Sequence, residues 1–144
     1  MLEKRPMKRD RPLAGGCLCG AVRYEVKSEA LMTLHCCCED CRRIGSGGHA
    51  TLTVVSREDF SVTGDLTAYA RISDSGNEIV RYFCPTCGSA IHHTRAGAPK
   101  FALIRVTSLD EPEWVKPESV IFASRKLSWD HLAPDLKLFA DEFA

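Results

Sequence analysis

Seven of the eight cysteines in this chain fall into three short clusters, Cys17-x-Cys19, Cys36-x-Cys38-x-x-Cys41 and Cys84-Pro85-Thr86-Cys87-Gly88. Four thiolates close a tetrahedral zinc site, whereas three leave one coordination position where a small molecule can bind and react. Seven ligands divide naturally into four and three. The one- and two-residue spacings suit a metal far better than disulfides, which need partners placed for loop closure. Strand alternation is expected to put Cys17 and Cys19 on one face, and Cys36 and Cys38 likewise, so that each pair grips one ion. Cys84 to Gly88 reads as a zinc knuckle: Pro85 fixes a turn dihedral, Gly88 can take positive φ, and the intervening N–H groups can aim at the sulfurs.

Spacing permits two assemblies. In the first, Cys17 and Cys19 join Cys84 and Cys87 around a structural zinc, and Cys36, Cys38 and Cys41 hold a second, open one. In the second, Cys38 and Cys41 join Cys84 and Cys87 in a four-cysteine ribbon. The first is preferred because the second leaves Cys17, Cys19 and Cys36 without a purpose.

A divalent ion held by three thiolates carries a formal charge of −1 and is a weak Lewis acid beside a three-histidine site. Activating an incoming thiol for attack on an aldehyde carbon suits it better than activating water. Such a unit needs positive charge nearby. Arg42 and Arg43, directly after Cys41, are the nearest candidates for binding substrate carboxylates, with a solvated surface position as the alternative. His35 and His49 flank this cluster as candidate proton carriers or ligands, or as ordinary hydrogen-bonded histidines. Alternation sends His92 and His93 to opposite faces, so one of them can line the site. Gly45-Ser46-Gly47-Gly48 reads as a loop lying close to a ligand, but no Lys-Ser/Thr follows to make it a P-loop.

These groups must be positioned by a single domain, since 144 residues suffice to bury one core. A hydrophobic content of 44% is that of a globular protein, and no apolar run reaches the length of a membrane span. Nineteen basic residues balance nineteen acidic ones, which argues against nucleic acid as a partner. Lys4, Arg5, Lys8, Arg9 and Arg11 mark residues 1–14 as a flexible basic arm preceding a domain over residues 15–144. The N-terminal residues lack the apolar stretch of a signal peptide, so reduced thiols and a cytoplasmic location are expected. Val22, Tyr24 and Val26 alternate with Arg23 and Glu25 as a half-buried strand, and β-rich runs follow over 49–55, 66–72, 78–83, 101–107 and 120–123. Helix is expected only as a turn at 39–43 and over 134–143, where Leu136, Phe139 and Ala140 form a stripe. The fold class is therefore mainly β.

Gly16-Cys17-Leu18-Cys19-Gly20-Ala21-Val22-Arg23-Tyr24, then Cys36-Cys37-Cys38-Glu39-Asp40-Cys41-Arg42-Arg43-Ile44-Gly45, then Phe83-Cys84-Pro85-Thr86-Cys87-Gly88-Ser89 resemble the successive signatures of the glutathione-dependent formaldehyde-activating (GFA) family. The resemblance implies a β-tent-like zinc-binding domain with short helical segments. It implies two zinc ions per chain: a structural one at Cys17, Cys19, Cys84 and Cys87, and a catalytic one at Cys36, Cys38 and Cys41. It further implies a carbon–sulfur lyase resembling S-(hydroxymethyl)glutathione synthase, with glutathione or a similar thiol and a small aldehyde as partners. Family members often carry His where this chain has Cys37. Alternation points Cys37 away from the metal, as a small buried residue; turned inward, it would close the site with a fourth thiolate. The rival readings are a non-catalytic interaction domain with two structural metals, and a thiol sensor built on Cys37.

Overall fold

The computed structural model describes residues 13–142, so the basic cluster from Lys4 to Arg11 and the terminal Phe143 lie outside it. Among the described residues, eleven strands and one short α-helix follow in order. They are β1 (Leu13–Gly16), β2 (Arg23–Val26), β3 (Met32–Cys36), α1 (Glu39–Gly45), β4 (Ala50–Ser56), β5 (Phe60–Thr63), β6 (Thr67–Ile72), β7 (Glu78–Phe83), β8 (Ala90–Arg95), β9 (Phe101–Arg105), β10 (Ser119–Ile121) and β11 (Lys137–Leu138). The expectation of a mainly β domain with short helical pieces is met.

Two sheets divide the strands. A small one runs β1-β2-β5, and a large one runs β11-β10-β3-β4-β9-β8-β7-β6. All pairings are antiparallel except those of β10, which lies parallel to both β3 and β11. Alternation along β9 sends Ala102 and Ile104 into one core and Leu103 into another. The first core joins Val22 and, from the small sheet, Tyr24 and Val26 to Val55, Ile91 and Ile104 of the large one. The second lies on the opposite face and packs Leu34, Leu52, Leu103 and Ile121 around Cys36 and Cys41. One cysteine cluster is thus built into the apolar floor of the second core.

Two local expectations are corrected. Residues 134–142 form turns and the short β11 rather than a helix. Their backbone is captured by the sheet edge instead: Lys137 N–H donates to Glu118 C=O, and Phe139 N–H donates to Val120 C=O at 2.9 Å. The apolar stripe survives only through Phe139, which packs on the second core. Nor does strand alternation pair the cysteines. β1 ends at Gly16 and β3 at Cys36, so Cys17, Cys19 and Cys38 are all placed by turns. Among the described residues, no helix is long and apolar enough to cross a membrane.

Candidate metal centre

The chain curls back directly after β1. Gly20 N–H donates to Cys17 C=O and Cys17 N–H to Val22 C=O, which folds Cys17 and Cys19 into one half-site. After β7, Gly88 N–H closes the knuckle onto Cys84 C=O at 2.9 Å, with Gly88 at φ 79° as its position demands. Backbone donors point at the sulfurs as expected, Thr86 N–H reaching Cys84 Sγ at 3.4 Å and Val22 N–H reaching Cys17 Sγ at 3.2 Å. Ser89 stitches the halves together. Its hydroxyl accepts from Leu18 N–H at 3.1 Å and donates to Cys87 Sγ at 3.2 Å, and that hydroxyl pulls the Cys87 thiol down to about 5.

The four sulfurs of Cys17, Cys19, Cys84 and Cys87 lie within 4.8 Å of one another. Cys17 Sγ stands 3.6 Å from Cys19 Sγ, which stands 3.8 Å from Cys84 Sγ. An ion bonded tetrahedrally to sulfur at ~2.3 Å requires an edge of ~3.8 Å. The residues therefore fit such an ion, and no cysteine pair is a disulfide.

Cys36, Cys38 and Cys41 form the second group, again within 4.8 Å. Cys36 is the last residue of β3, Cys38 is the N-cap of α1, and Cys41 is buried in the first turn of that helix. The helix start is thus defined by a sulfur, since Cys41 N–H donates to Cys38 Sγ at 3.3 Å. Hydrogen bonds from the Cys36 and Cys41 thiols hold Cys38 down at about 2, and the same sharing pushes Cys36 far up.

Cys37 joins neither group. It is 0% exposed, its N–H donates to Ile121 C=O, and burial with the nearby Asp130 raises its thiol. Of the two assemblies the spacing allows, the structure brings together the four-plus-three set.

The three sulfurs form part of a cleft of about 580 Å³, partly open to solvent. Leu52, Leu103 and Ile121 supply apolar wall, and Arg81, Arg95 and Arg125 supply charge. Acids from other elements hold two of these arginines: Arg95 pairs with Glu142 at 2.6 Å and Arg125 with Asp74 at 2.6 Å. Arg125 also lies over the ring of Phe122, 5.1 Å from its centroid, and Phe122 takes the left-handed conformation at φ 53°.

Arg42 and Arg43 do not line this cleft. Successive helical residues turn by about 100°, so the positions after Cys41 rotate away from the metal side. Arg43 pairs with Glu39 on the exposed face at 3.1 Å. The cleft arginines come from β7, β8 and the segment after β10, far from the cysteines in sequence.

Of the histidines, His93 lines the cleft, whereas His92 stacks on Tyr82 at 4.5 Å and meets the edge of Phe60 on the other face. Burial, together with Arg81, Arg105 and Arg95, drives His93 down to about 3, so the imidazole is neutral. His35 and His49 do not line the cleft. Their rings meet edge to face at 4.3 Å; His35 Nδ1 bonds Thr51 Oγ1 at 2.9 Å, and His49 Nδ1 bonds Asp130 Oδ2 at 2.8 Å. Gly48 makes room for that aspartate, because a Cβ there would stand 2.5 Å from Asp130 Cγ.

Sequence reasoning missed Arg81 and Arg105. Arg81 pairs directly with His93 across β7 and β8, and Arg105 ends β9 on the same face as Leu103. A charged residue inside an otherwise apolar strand pattern, as in Phe101-Ala102-Leu103-Ile104-Arg105, was the available signal.

Comparison with known proteins bears on this arrangement. A family model described as glutathione-dependent formaldehyde-activating enzyme matches residues 12–125. The chain is also similar to a crystal structure of a Rhodobacter sphaeroides protein solved as a structural genomics target, with 32% identity and a TM-score of 0.56, covering 72% of this chain and 91% of that one. No curated protein matches it significantly.

Proposed function

We propose a function from one premise: the chain belongs to the glutathione-dependent formaldehyde-activating enzyme family. It acts as a zinc-dependent carbon–sulfur lyase on thiol adducts of small aldehydes, in the manner of an S-(hydroxymethyl)glutathione synthase. The observation that carries this reading is the convergence of three thiols, with no fourth cysteine, where a cleft opens. Cys17, Cys19, Cys84 and Cys87 hold a structural zinc, and Cys36, Cys38 and Cys41 hold a catalytic one. When bound there, the ion supplies an open position that favours the thiolate form of an entering thiol.

The remaining work falls to the chain. Leu52, Leu103 and Ile121 exclude water from one side of the reacting atoms, which strengthens every charge contact within the cleft. A carbon–sulfur bond forms as the thiolate lone pair attacks the aldehyde carbon, and the carbonyl π pair moves to oxygen. The proton given up by the thiol ends on that oxygen as the hydroxyl of the adduct, and the reverse sequence releases thiol and aldehyde. Neutral His93 faces the cleft as a hydrogen-bond donor for the developing alkoxide. Eight free thiols suit a reducing compartment, which supports a cytoplasmic location.

The test is exchange spectroscopy on an equilibrium mixture of formaldehyde, glutathione and their hemithioacetal, because the uncatalysed addition is already fast. Zinc-loaded protein speeds the exchange, and chelated protein and Cys41→Ser do not. Equal rates in all three samples would remove the lyase and favour a domain with two structural metals.

A further inference from the structure

The large sheet ends on β6, and every residue of that strand from Thr67 to Ile72 is exposed. Tyr69 is 52% and Ile72 60% exposed, which is unusual for large apolar side chains in a strand. Among the described residues β6 pairs with β7 alone, so one side of its backbone has no strand beside it. At the opposite edge of the same sheet, β11 is two residues long and carries Lys137, both of which blunt further pairing. β6 has neither protection. It is six residues long, has no proline and no bulge against β7, and its one charged side chain is drawn back onto α1, where Arg71 Nε lies 3.2 Å from Asp40 Oδ2.

The phase of the ladder fixes which groups are free, because alternate residues of an antiparallel strand turn both N–H and C=O to the same neighbour. Ser73 continues the register of β6 and donates its N–H to Asn77 C=O at 2.8 Å. Thr67, Tyr69 and Arg71 therefore bond β7, while Ala68, Ala70 and Ile72 aim their N–H and C=O at the open edge. β7 agrees with this phase: Ala96 N–H donates to Glu78 C=O at 3.0 Å, which turns Glu78 and Val80 to β8 and leaves Ile79 and Arg81 for β6.

We propose that this edge joins a second copy of the chain, β6 against β6, antiparallel about a two-fold axis at Ala70. That axis sets Ala70 opposite Ala70 of the second copy and Ala68 opposite its Ile72, so every outward N–H and C=O of both strands finds a partner. An axis at Tyr69 leaves Ile72 outside the ladder. An axis at Arg71 leaves Ala68 outside and sets two arginines opposite each other, which is unfavourable. Side chains match in the same register. On one face the exposed Ile72 lies beside the small Ala68 of the other copy, and on the other face Arg71 lies beside Tyr69, guanidinium stem against ring. A formal net charge of zero leaves no overall repulsion between copies. Backbone and side chains thus complement themselves under one symmetry operation, which favours a second copy over an unrelated strand.

Sedimentation equilibrium of the full zinc-loaded chain is the test. The unaltered protein is expected at twice the single-chain mass. Ala70→Lys and Ala70→Glu each put a charge opposite its own copy, so each runs at the single-chain mass with unchanged near-ultraviolet dichroism and zinc content, and an equal mixture of the two recovers the dimer. Ala70→Pro, which removes an outward donor and no bond to β7, is likewise monomeric. An unaltered protein that stays at the single-chain mass throughout the micromolar range overturns the proposal, however any variant folds. A dimer that persists in both charged variants, or a mixture of the two that stays monomeric, also overturns it.

Discussion

The backbone N–H of Cys41 donates to Sγ of Cys38 at 3.3 Å, so the sulfur that caps α1 is also one of the three that converge at the cleft. Helix start and candidate metal site share an atom, and two substitutions pull the roles apart. Cys38→Ser keeps an N-cap acceptor and Cys38→Ala does not, although both remove the sulfur. Both variants lose the metal of the three-cysteine site, while the serine variant is more stable by about 1 kcal/mol in urea unfolding. Equal stability would mean that the cap contributes nothing to α1.

The two clusters differ in what depends on them. Cys84 and Cys17 tie loops from both sheets together, and a closed structural metal supplies folding free energy outright. Cys84→Ser is expected to give insoluble or molten protein with no near-ultraviolet dichroism. Cys41→Ser stays folded and carries one zinc by elemental analysis, against two in the parent chain. The reverse pattern would exchange the roles of the two sites.

Acid should destabilise the fold through His92. Burial, then the charge of Arg57, lowers this imidazole to about 4 from 6.5, and its Nδ1 has no partner. A lowered folded value means that only the unfolded chain takes the proton as pH falls below 6.5. Stability is therefore complete above that pH and declines toward 4, by about 2 kcal/mol at pH 5 from this group alone. His92→Phe, which keeps the aromatic contacts with Tyr82 and Phe60, flattens the slope of urea midpoints between pH 7 and 5. An unchanged slope would place the acid sensitivity elsewhere.

Glycines 45 and 64 should respond to alanine in opposite ways. At Gly64, φ is 93° and a Cβ would meet the backbone oxygen of Ala21 at 2.1 Å, so Gly64→Ala costs about 2 kcal/mol or more. At Gly45 the obstruction is the far end of the Arg105 side chain rather than backbone, so Gly45→Ala leaves thermal stability nearly intact and displaces the guanidinium. Similar losses at both positions would show that Arg105 is held rigidly.

Much of the site was legible because cysteine is chemically distinctive at any position. The knuckle followed from Pro85 and Gly88, and the split into four and three followed from counting. Alternation failed as the reason for pairing, since turn hydrogen bonds at Gly20 and the cap at Cys38 do that work. It succeeded for His92 and His93, whose rings do lie on opposite faces of β8. The segment 134–142 misled because a helical stripe says nothing about a free sheet edge nearby, and β10 captured its backbone. Arg81 and Arg105 escaped notice because their partners in space are remote in sequence, and only the register of β7, β8 and β9 brings them beside Cys41.

The central claim is that the three-cysteine site keeps one position open for a thiol. Cadmium-113 resonance of protein loaded with two cadmium ions reads it directly, because the shift reports the number of bound sulfurs and resolves the two sites. Two signals are expected, one from a four-sulfur environment and one from a three-sulfur environment, and glutathione should move only the second toward the four-sulfur position. Two four-sulfur signals before any thiol is added, or a three-sulfur signal that glutathione leaves in place, would contradict the account.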